Sequence, residues 1–160
     1  MNILLDEHKA ILIQLLHAKV EFILIGGYAV IYHGYGRTTG DMDIWLKPDN
    51  RNRDKLITVL ETQGILPEDL DKIRKTDFTN IIAFHIDEPP RRIDFLTKVV
   101  GLTFHEAESR KVLLPLGDLT VPILHLDDLI VNKLLSGRTK DKADVEELQK
   151  IMRLKKKQDQ

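Results

Sequence analysis

Short apolar runs, separated by glycine, proline and polar residues, divide this chain into predicted strands and amphipathic helices. Apolar residues spaced three and four apart indicate helices. The predicted helices cover residues 5–18, 28–33, 51–63, 67–73, 103–110, 126–136 and 140–154. Compact or alternating apolar runs indicate strands. The predicted strands cover residues 22–25, 41–46, 79–86, 92–96, 112–116 and 119–123. Turn residues at 87–90 and 117–118 pair the last four strands into two hairpins.

The order of these elements predicts an α/β chain with helices flanking a β-sheet and a short pair of helices at the C-terminal end. The chain has 160 residues, which fits a single domain. We therefore predict one domain over residues 1–154. The lysine-rich residues 155–160 are predicted to form a disordered polar tail.

Composition excludes several kinds of site and partner. Charged residues make up 31% of the chain but the net charge is −1, so there is no general electrostatic signature of nucleic-acid or membrane binding. The chain has no cysteine, which excludes disulfides and thiolate metal sites. The first residues do not resemble a signal peptide, and no apolar run approaches the roughly 18 residues of a membrane span. These features predict a cytoplasmic protein.

Three aspartates in predicted strands are the strongest chemical signal. Asp41 and Asp43 lie two apart, so both side chains leave the same face of a strand. At about 4 Å and an effective dielectric near 20, two such charges repel by about 4 kcal/mol, unless a cation or a proton neutralises them. Asp94 lies between Ile93 and Phe95, where an unpaired carboxylate is costly. The alternatives are an exposed strand face for the first two, and an ion pair with Arg92 for Asp94.

A glycine pair follows the first predicted strand. Gly26 and Gly27 allow a sharp turn and a close approach by another group, and amides at the start of the next helix attract anions. A simple turn is the alternative interpretation of such a pair.

These motifs together resemble those of the nucleotidyltransferase superfamily, which has the polymerase-beta-like fold. The resemblance consists of Gly26-Gly27, thirteen intervening residues, Asp41-Met-Asp43, and Asp94 between two apolar residues on a later strand. It covers residues 20–148, and residues 126–148 look like the helix pair of a small bacterial branch that includes AbiEii-type toxins. The resemblance implies a mixed β-sheet flanked by helices. It also implies transfer of a nucleoside monophosphate from a nucleoside triphosphate to a hydroxyl-bearing acceptor.

The resemblance also implies roles for particular residues. Asp41, Asp43 and Asp94 would hold two Mg²⁺ ions, with the nucleoside triphosphate as co-substrate, and Asp94 would accept the proton of the acceptor. The amides of Gly26 and Gly27 would hold the β- and γ-phosphates.

Two basic residues are expected to neutralise phosphate charge: Arg37 in the loop before Asp41, and Lys133 on a later helix. The alternatives are a loop charge for Arg37 and a solvent-reaching helix residue for Lys133. Arg138, Lys140, Asp141 and Asp144 are expected to form local charge pairs of little energetic weight at a helix–helix junction.

The acceptor stays open at this stage, because a protein, a tRNA and a small molecule are all compatible with the balanced charge. The resemblance also suggests a part in a toxin–antitoxin system, with this chain as the toxin or the antitoxin and the other protein as its partner. Two alternatives to transfer remain. One is a non-catalytic nucleotide-binding or antitoxin-type interaction module on the same fold, and the other is a phosphodiesterase-like hydrolase.

Overall fold

A computed structural model describes residues 3–159 and contains a six-stranded mixed β-sheet. The strands are β1 (Phe22–Ile25), β2 (Asp41–Leu46), β3 (Ala83–Ile86), β4 (Arg92–Leu96), β5 (Val112–Leu116) and β6 (Leu119–Ile123). Their order across the sheet is β3-β4-β2-β1-β6-β5. The pairs β1–β2, β3–β4 and β5–β6 are antiparallel, whereas β2–β4 and β1–β6 are parallel. The predicted α/β fold with a mixed sheet and both predicted hairpins are thus confirmed.

Helices cover the sheet and extend to the C-terminal end. They are α1 (Asp6–His17), α2 (Gly26–Tyr32), α3 (Asn50–Leu60), α4 (Pro67–Arg74), α5 (Phe104–Arg110), α6 (Leu126–Ser136) and α7 (Asp141–Gln158), with a 3-10 turn at Glu61–Gln63 after α3. Side chains cap three of them: Asp49 accepts the amide of Asn52 at 2.7 Å, Thr103 accepts that of Glu106 at 3.4 Å, and His125 accepts that of Asp127 at 3.1 Å. Within residues 3–159, no helix combines the length and the apolar composition that a membrane crossing requires.

The central strands carry the core. All four residues of β1 are buried, and in β2 the side chains of Met42 and Ile44 are fully buried. The indole of Trp45 is buried as well and donates a hydrogen bond to the carbonyl of Thr97 at 3.2 Å. Because side chains alternate along a strand, the burial of Met42 and Ile44 directs Asp41 and Asp43 to the opposite face of the sheet.

Two predicted boundaries near the sheet were wrong. The strand predicted over residues 79–86 begins only at Ala83, because the Thr97 hydroxyl binds the preceding backbone instead. It accepts the amide of Ile82 at 2.9 Å and donates to the carbonyl of Asn80 at 2.7 Å. The helix predicted from residue 28 begins two residues earlier, at Gly26, directly after β1.

The C-terminal end also differs from the prediction. Helix α7 continues to Gln158, so residues 155–158 are helical rather than part of a disordered tail. Lysine and glutamine are good helix formers. The three lysines at 155–157 lie in the last turn, where positive charge interacts favourably with the unpaired carbonyls. Gln160 lies outside the described residues, and the single-domain boundary stays a prediction.

Candidate active site

The parallel pairing of β2 with β4 brings the three aspartates together. In this register Asp43 lies directly opposite Asp94, and Asp41 lies opposite Arg92. Each of the three aspartates offers one carboxylate oxygen, and these three atoms lie within 4.8 Å of one another. The predicted residues therefore form one cluster, which we call the aspartate cluster. Their catalytic and metal-binding roles stay predictions.

The charge of the aspartate cluster is poorly compensated at its centre. Burial of Asp43, together with the charges of Asp41 and Asp94, raises the pKa of Asp43 to about 7, against the opposing influence of Lys133. Asp94, in contrast, is bound by the guanidinium of Arg92, with Nη2–Oδ1 at 2.9 Å and Nε–Oδ2 at 3.1 Å. The ion pair with Arg92, which was predicted as the alternative role of Asp94, is therefore present together with the aspartate cluster. The two are compatible because each carboxylate oxygen can accept more than one contact.

The aspartate cluster fits a divalent cation of the Mg²⁺ type. All three donors are carboxylate oxygens, which are the ligands that Mg²⁺ prefers. A cation there would offset both the burial of the Asp43 charge and its repulsion by Asp41 and Asp94, which together raise the pKa of Asp43.

The glycine pair lies directly against the aspartate cluster. Gly26 has a φ of +67°, a conformation that other residues rarely adopt, and a Cβ on this residue would overlap the Asp43 carboxylate. A Cβ on Gly27 would lie 2.8 Å from the Cβ of Thr39. The sequence Gly-Gly is therefore required here by backbone conformation and by crowding. The predicted contact of its amides with phosphates stays a prediction.

Substitution of Gly26 by alanine is expected to displace the Asp43 carboxylate and to strain the backbone. The strain costs about 1–2 kcal/mol, and displacement of the ligand should weaken divalent-cation binding by about 10- to 100-fold. Denaturant unfolding measures the loss of stability, and the gain in stability on addition of Mg²⁺ measures cation binding. Gly36→Ala is the matched control, because no atom lies within 4 Å of a Cβ at Gly36. Equal stability and equal Mg²⁺ binding in Gly26→Ala and Gly36→Ala would contradict the prediction.

A cleft of about 730 Å³ opens beside Asp41, Asp43 and the two glycines, and its far wall is formed by the junction of α6 and α7. Both predicted phosphate-binding cations line this cleft. The Lys133 side chain is 6% exposed, and its ammonium contacts Asp144 at 2.9 Å and Asp141 at 3.1 Å. The Arg37 guanidinium makes two contacts of 2.9 Å with Asp144. We call this group of residues, which also includes Arg138, the ionic wall.

The expectation of weak, local charge pairs at this junction was wrong, because Arg37 reaches Asp144 from 107 positions away and both Asp141 and Asp144 are buried. These two residues are only 3% and 4% exposed. Asp141 accepts hydrogen bonds from Ser136 at 2.6 Å, from Arg138 at 2.8 Å and from Lys133. Burial alone would raise the pKa of Asp141, but these hydrogen bonds and the charge of Lys133 outweigh it and lower the pKa to about 2. The junction is therefore a buried ionic cluster and not a surface pair.

Sequence reasoning also missed Lys98, which lines the cleft two residues after β4 ends. Among residues 3–159, no carboxylate lies within 4.0 Å of its ammonium. In the sequence, Lys98 could have been recognised as a basic residue four positions after Asp94, just beyond the strand that carries this acid.

A family model described as "Nucleotidyltransferase of unknown function (DUF6036)" matches residues 4–156. The chain is a nucleotidyltransferase of the DUF6036 family. A comparison with curated protein sequences gives no match. The family match confirms the superfamily that the sequence motifs resemble, while the narrower AbiEii-type placement stays a prediction.

Two solved structures show the same fold as this DUF6036 protein. The lincomycin-bound lincosamide antibiotic adenylyltransferase LnuA is similar with a TM-score of 0.58 and 20% identity, over 94% of this chain and 99% of that one. An antigenic nucleotidyltransferase-like protein from Paracoccidioides brasiliensis is similar with a TM-score of 0.53 and 16% identity, over 91% of this chain and 73% of that one.

Proposed function

We propose that this DUF6036 protein transfers a nucleoside monophosphate from a nucleoside triphosphate to a hydroxyl group of a small molecule, with two Mg²⁺ ions. The observation that carries the proposal is the aspartate cluster, whose three carboxylate oxygens lie within 4.8 Å of one another. The cluster adjoins a glycine turn and a cleft with a cationic wall. Metal-binding acids, space for phosphates and positive charge are the elements that this reaction requires.

Each residue of the site has a role that follows from its position. Asp41 and Asp43 hold the cations, and Gly26 and Gly27, which line the cleft beside them, present their backbone to the phosphates. When bound, the ions neutralise the triphosphate and lower the pKa of the acceptor hydroxyl. Asp94, oriented by Arg92, completes the cation site and retains lone pairs to accept the hydroxyl proton.

A small-molecule acceptor is favoured by the cleft and by one similar structure. A volume of about 730 Å³ falls within the range of roughly 300–1,000 Å³ that is typical of small-molecule sites. The LnuA structure, which is bound to lincomycin, aligns with nearly the whole of both chains. Transfer to a tRNA or to a protein, which would fit a toxin or antitoxin role, is instead one of the outcomes that the test distinguishes.

The proposal is tested by incubating the protein with Mg²⁺ and each nucleoside triphosphate labelled at the α-phosphate. The acceptors are a panel of hydroxyl-bearing small molecules that includes lincosamides, total tRNA, and a protein lysate. We expect labelled small molecule and an equal amount of pyrophosphate, both abolished by EDTA.

Three other outcomes would each contradict part of the proposal. Label on tRNA or protein would overturn the small-molecule acceptor. Free nucleoside monophosphate without an adduct would indicate hydrolysis. Tight binding of the triphosphate with no product would favour the non-catalytic module.

A further inference from the structure

Asp144 joins three separate parts of the chain within the ionic wall. It lies in the first turn of α7 and is only 4% exposed. Its two oxygens accept hydrogen bonds from Nε and Nη2 of Arg37, both at 2.9 Å, although Arg37 lies 107 positions away in the sequence. The Lys133 ammonium on α6 contacts the same carboxylate at 2.9 Å. Burying Asp144 and Lys133 together with a half-buried arginine is costly, so a role beyond stability needs to be considered.

The Arg37 guanidinium bound by Asp144 lies beside the glycine turn and keeps unused donors. Its Nη1 donates to the Thr38 carbonyl at 2.8 Å, and the contacts to Asp144 use one donor of Nε and one of Nη2. Arginine has five N–H donors, so two remain. A Cβ on Gly27 would lie 3.4 Å from Nη1, which places the guanidinium against the turn. The Arg37 side chain is 30% exposed and lines the cleft.

The ionic wall as a whole remains positive towards the cleft. It contains three cations (Arg37, Lys133 and Arg138) and two carboxylates (Asp141 and Asp144), which leaves a net charge of +1. The carboxylates therefore fix the cations without cancelling them. A cation held in place before the ligand arrives does not lose side-chain freedom when it binds, and this improves affinity.

We infer that Asp144 is a positioning residue, which holds Arg37 against the glycine turn and Lys133 in the cleft wall so that both cations face the β- and γ-phosphates of the nucleotide. The inference rests on the proposed function for the identity of its ligand. It assigns to the C-terminal helix α7 a part in triphosphate recognition, although α7 is distant from the aspartates in sequence.

The test compares Asp144→Asn with Asp128→Asn. Asp128 is a matched control because it is 6% exposed and binds Arg110 through two contacts of 3.0 Å, but it does not line the cleft. Binding of the four nucleoside triphosphates with Mg²⁺, of the four monophosphates and of inorganic tripolyphosphate is measured by calorimetry. We expect Asp144→Asn to weaken triphosphate and tripolyphosphate binding by about 10- to 100-fold. Monophosphate binding should change little, and Asp128→Asn should change none of the three.

Kinetics and a second variant separate positioning from folding. Where transfer is measured, Asp144→Asn should raise KM for the triphosphate more than it lowers kcat, and Asp144→Glu should restore part of the affinity. In the Asp144→Asn background, a further Arg37→Gln change should have little additional effect, because the guanidinium is already misplaced.

The outcomes distinguish this inference from the proposed function. Equal losses in Asp144→Asn and Asp128→Asn, or equal losses for tri- and monophosphates, would overturn the positioning role while leaving transfer intact. Asp144-dependent binding of tripolyphosphate without any transfer would sustain the positioning role and overturn the proposed function. Absence of triphosphate and tripolyphosphate binding by the unmodified protein would overturn both.

Discussion

Replacement of Asp43 by asparagine is expected to lower the rate of nucleotidyl transfer on the order of 10³-fold or more. The amide is nearly the same size as the carboxylate but carries no charge and offers one acceptor oxygen instead of two. Among residues 3–159, Asp41, Asp43 and Asp94 are the acids whose oxygens could hold a metal ion together, so we expect no neighbouring group to replace Asp43 as a cation ligand. Initial rates of pyrophosphate release, measured over a range of Mg²⁺ concentrations, give the effect.

The same variant should fold at least as well as the unmodified protein when metal is absent. Loss of the charge removes the repulsion between Asp43 and its two acidic neighbours, so thermal unfolding in EDTA at pH 8 should occur at a higher temperature. Asp118→Asn, in the exposed turn between β5 and β6, controls for the change of carboxylate to amide. Transfer by Asp43→Asn within tenfold of the unmodified rate would show that Asp43 is not a metal ligand.

Local sequence patterns predicted the strands that carry the aspartates but not how those strands pair. The runs at residues 41–46 and 92–96 have the predicted bounds, because buried apolar residues alternate with the acids. The parallel register that places Asp43 opposite Asp94 depends on how β2 and β4 neighbour each other across 45 intervening residues. Periodicity carries no such information, so the convergence of the acids was expected only from the family resemblance.

The ionic wall was only partly predictable from the sequence, again because it depends on contacts between residues that are far apart in the chain. Charged residues at a helix junction are usually exposed, and sequence spacing alone gave Asp144 no reason to be buried. Its burial depends on Arg37, which reaches it from a loop 107 positions earlier. Local spacing also suggested Arg37 and Lys133 as separate phosphate ligands, but the carboxylate that binds both is recognisable only in three dimensions. Predicting which polar groups are buried therefore requires knowledge of their long-range partners.

Without metal, Asp43 is expected to destabilise this protein progressively as the pH rises from about 4 to about 7. The pKa of Asp43 is about 7 in the folded state, compared with an ordinary value of 3.8, so the folded state keeps a proton that the unfolded state has released in this interval. Stability falls with pH wherever the folded state binds more protons. One pKa unit corresponds to about 1.4 kcal/mol, so the full contribution of Asp43 is about 4 kcal/mol.

The measurement is the difference between the unmodified protein and Asp43→Asn in denaturant unfolding at several pH values in EDTA. A difference is needed because burial lowers the pKa of His33, which makes stability rise with pH, but this effect is present in both proteins and cancels. The unmodified protein should lose stability relative to Asp43→Asn as the pH rises through this interval. Parallel stability curves for the two proteins would contradict the prediction.

Added Mg²⁺ should reverse this loss of stability, and more strongly at pH 8 than at pH 5. A cation binds the ionised carboxylate, so it competes with the proton at low pH and stabilises the folded protein once the proton has left. Asp43→Asn should show a much smaller Mg²⁺ effect at both pH values. A Mg²⁺ effect that is the same in both proteins would locate the cation away from the aspartate cluster. A pH-dependent effect confined to the unmodified protein would tie cation binding to Asp43 independently of any transfer assay.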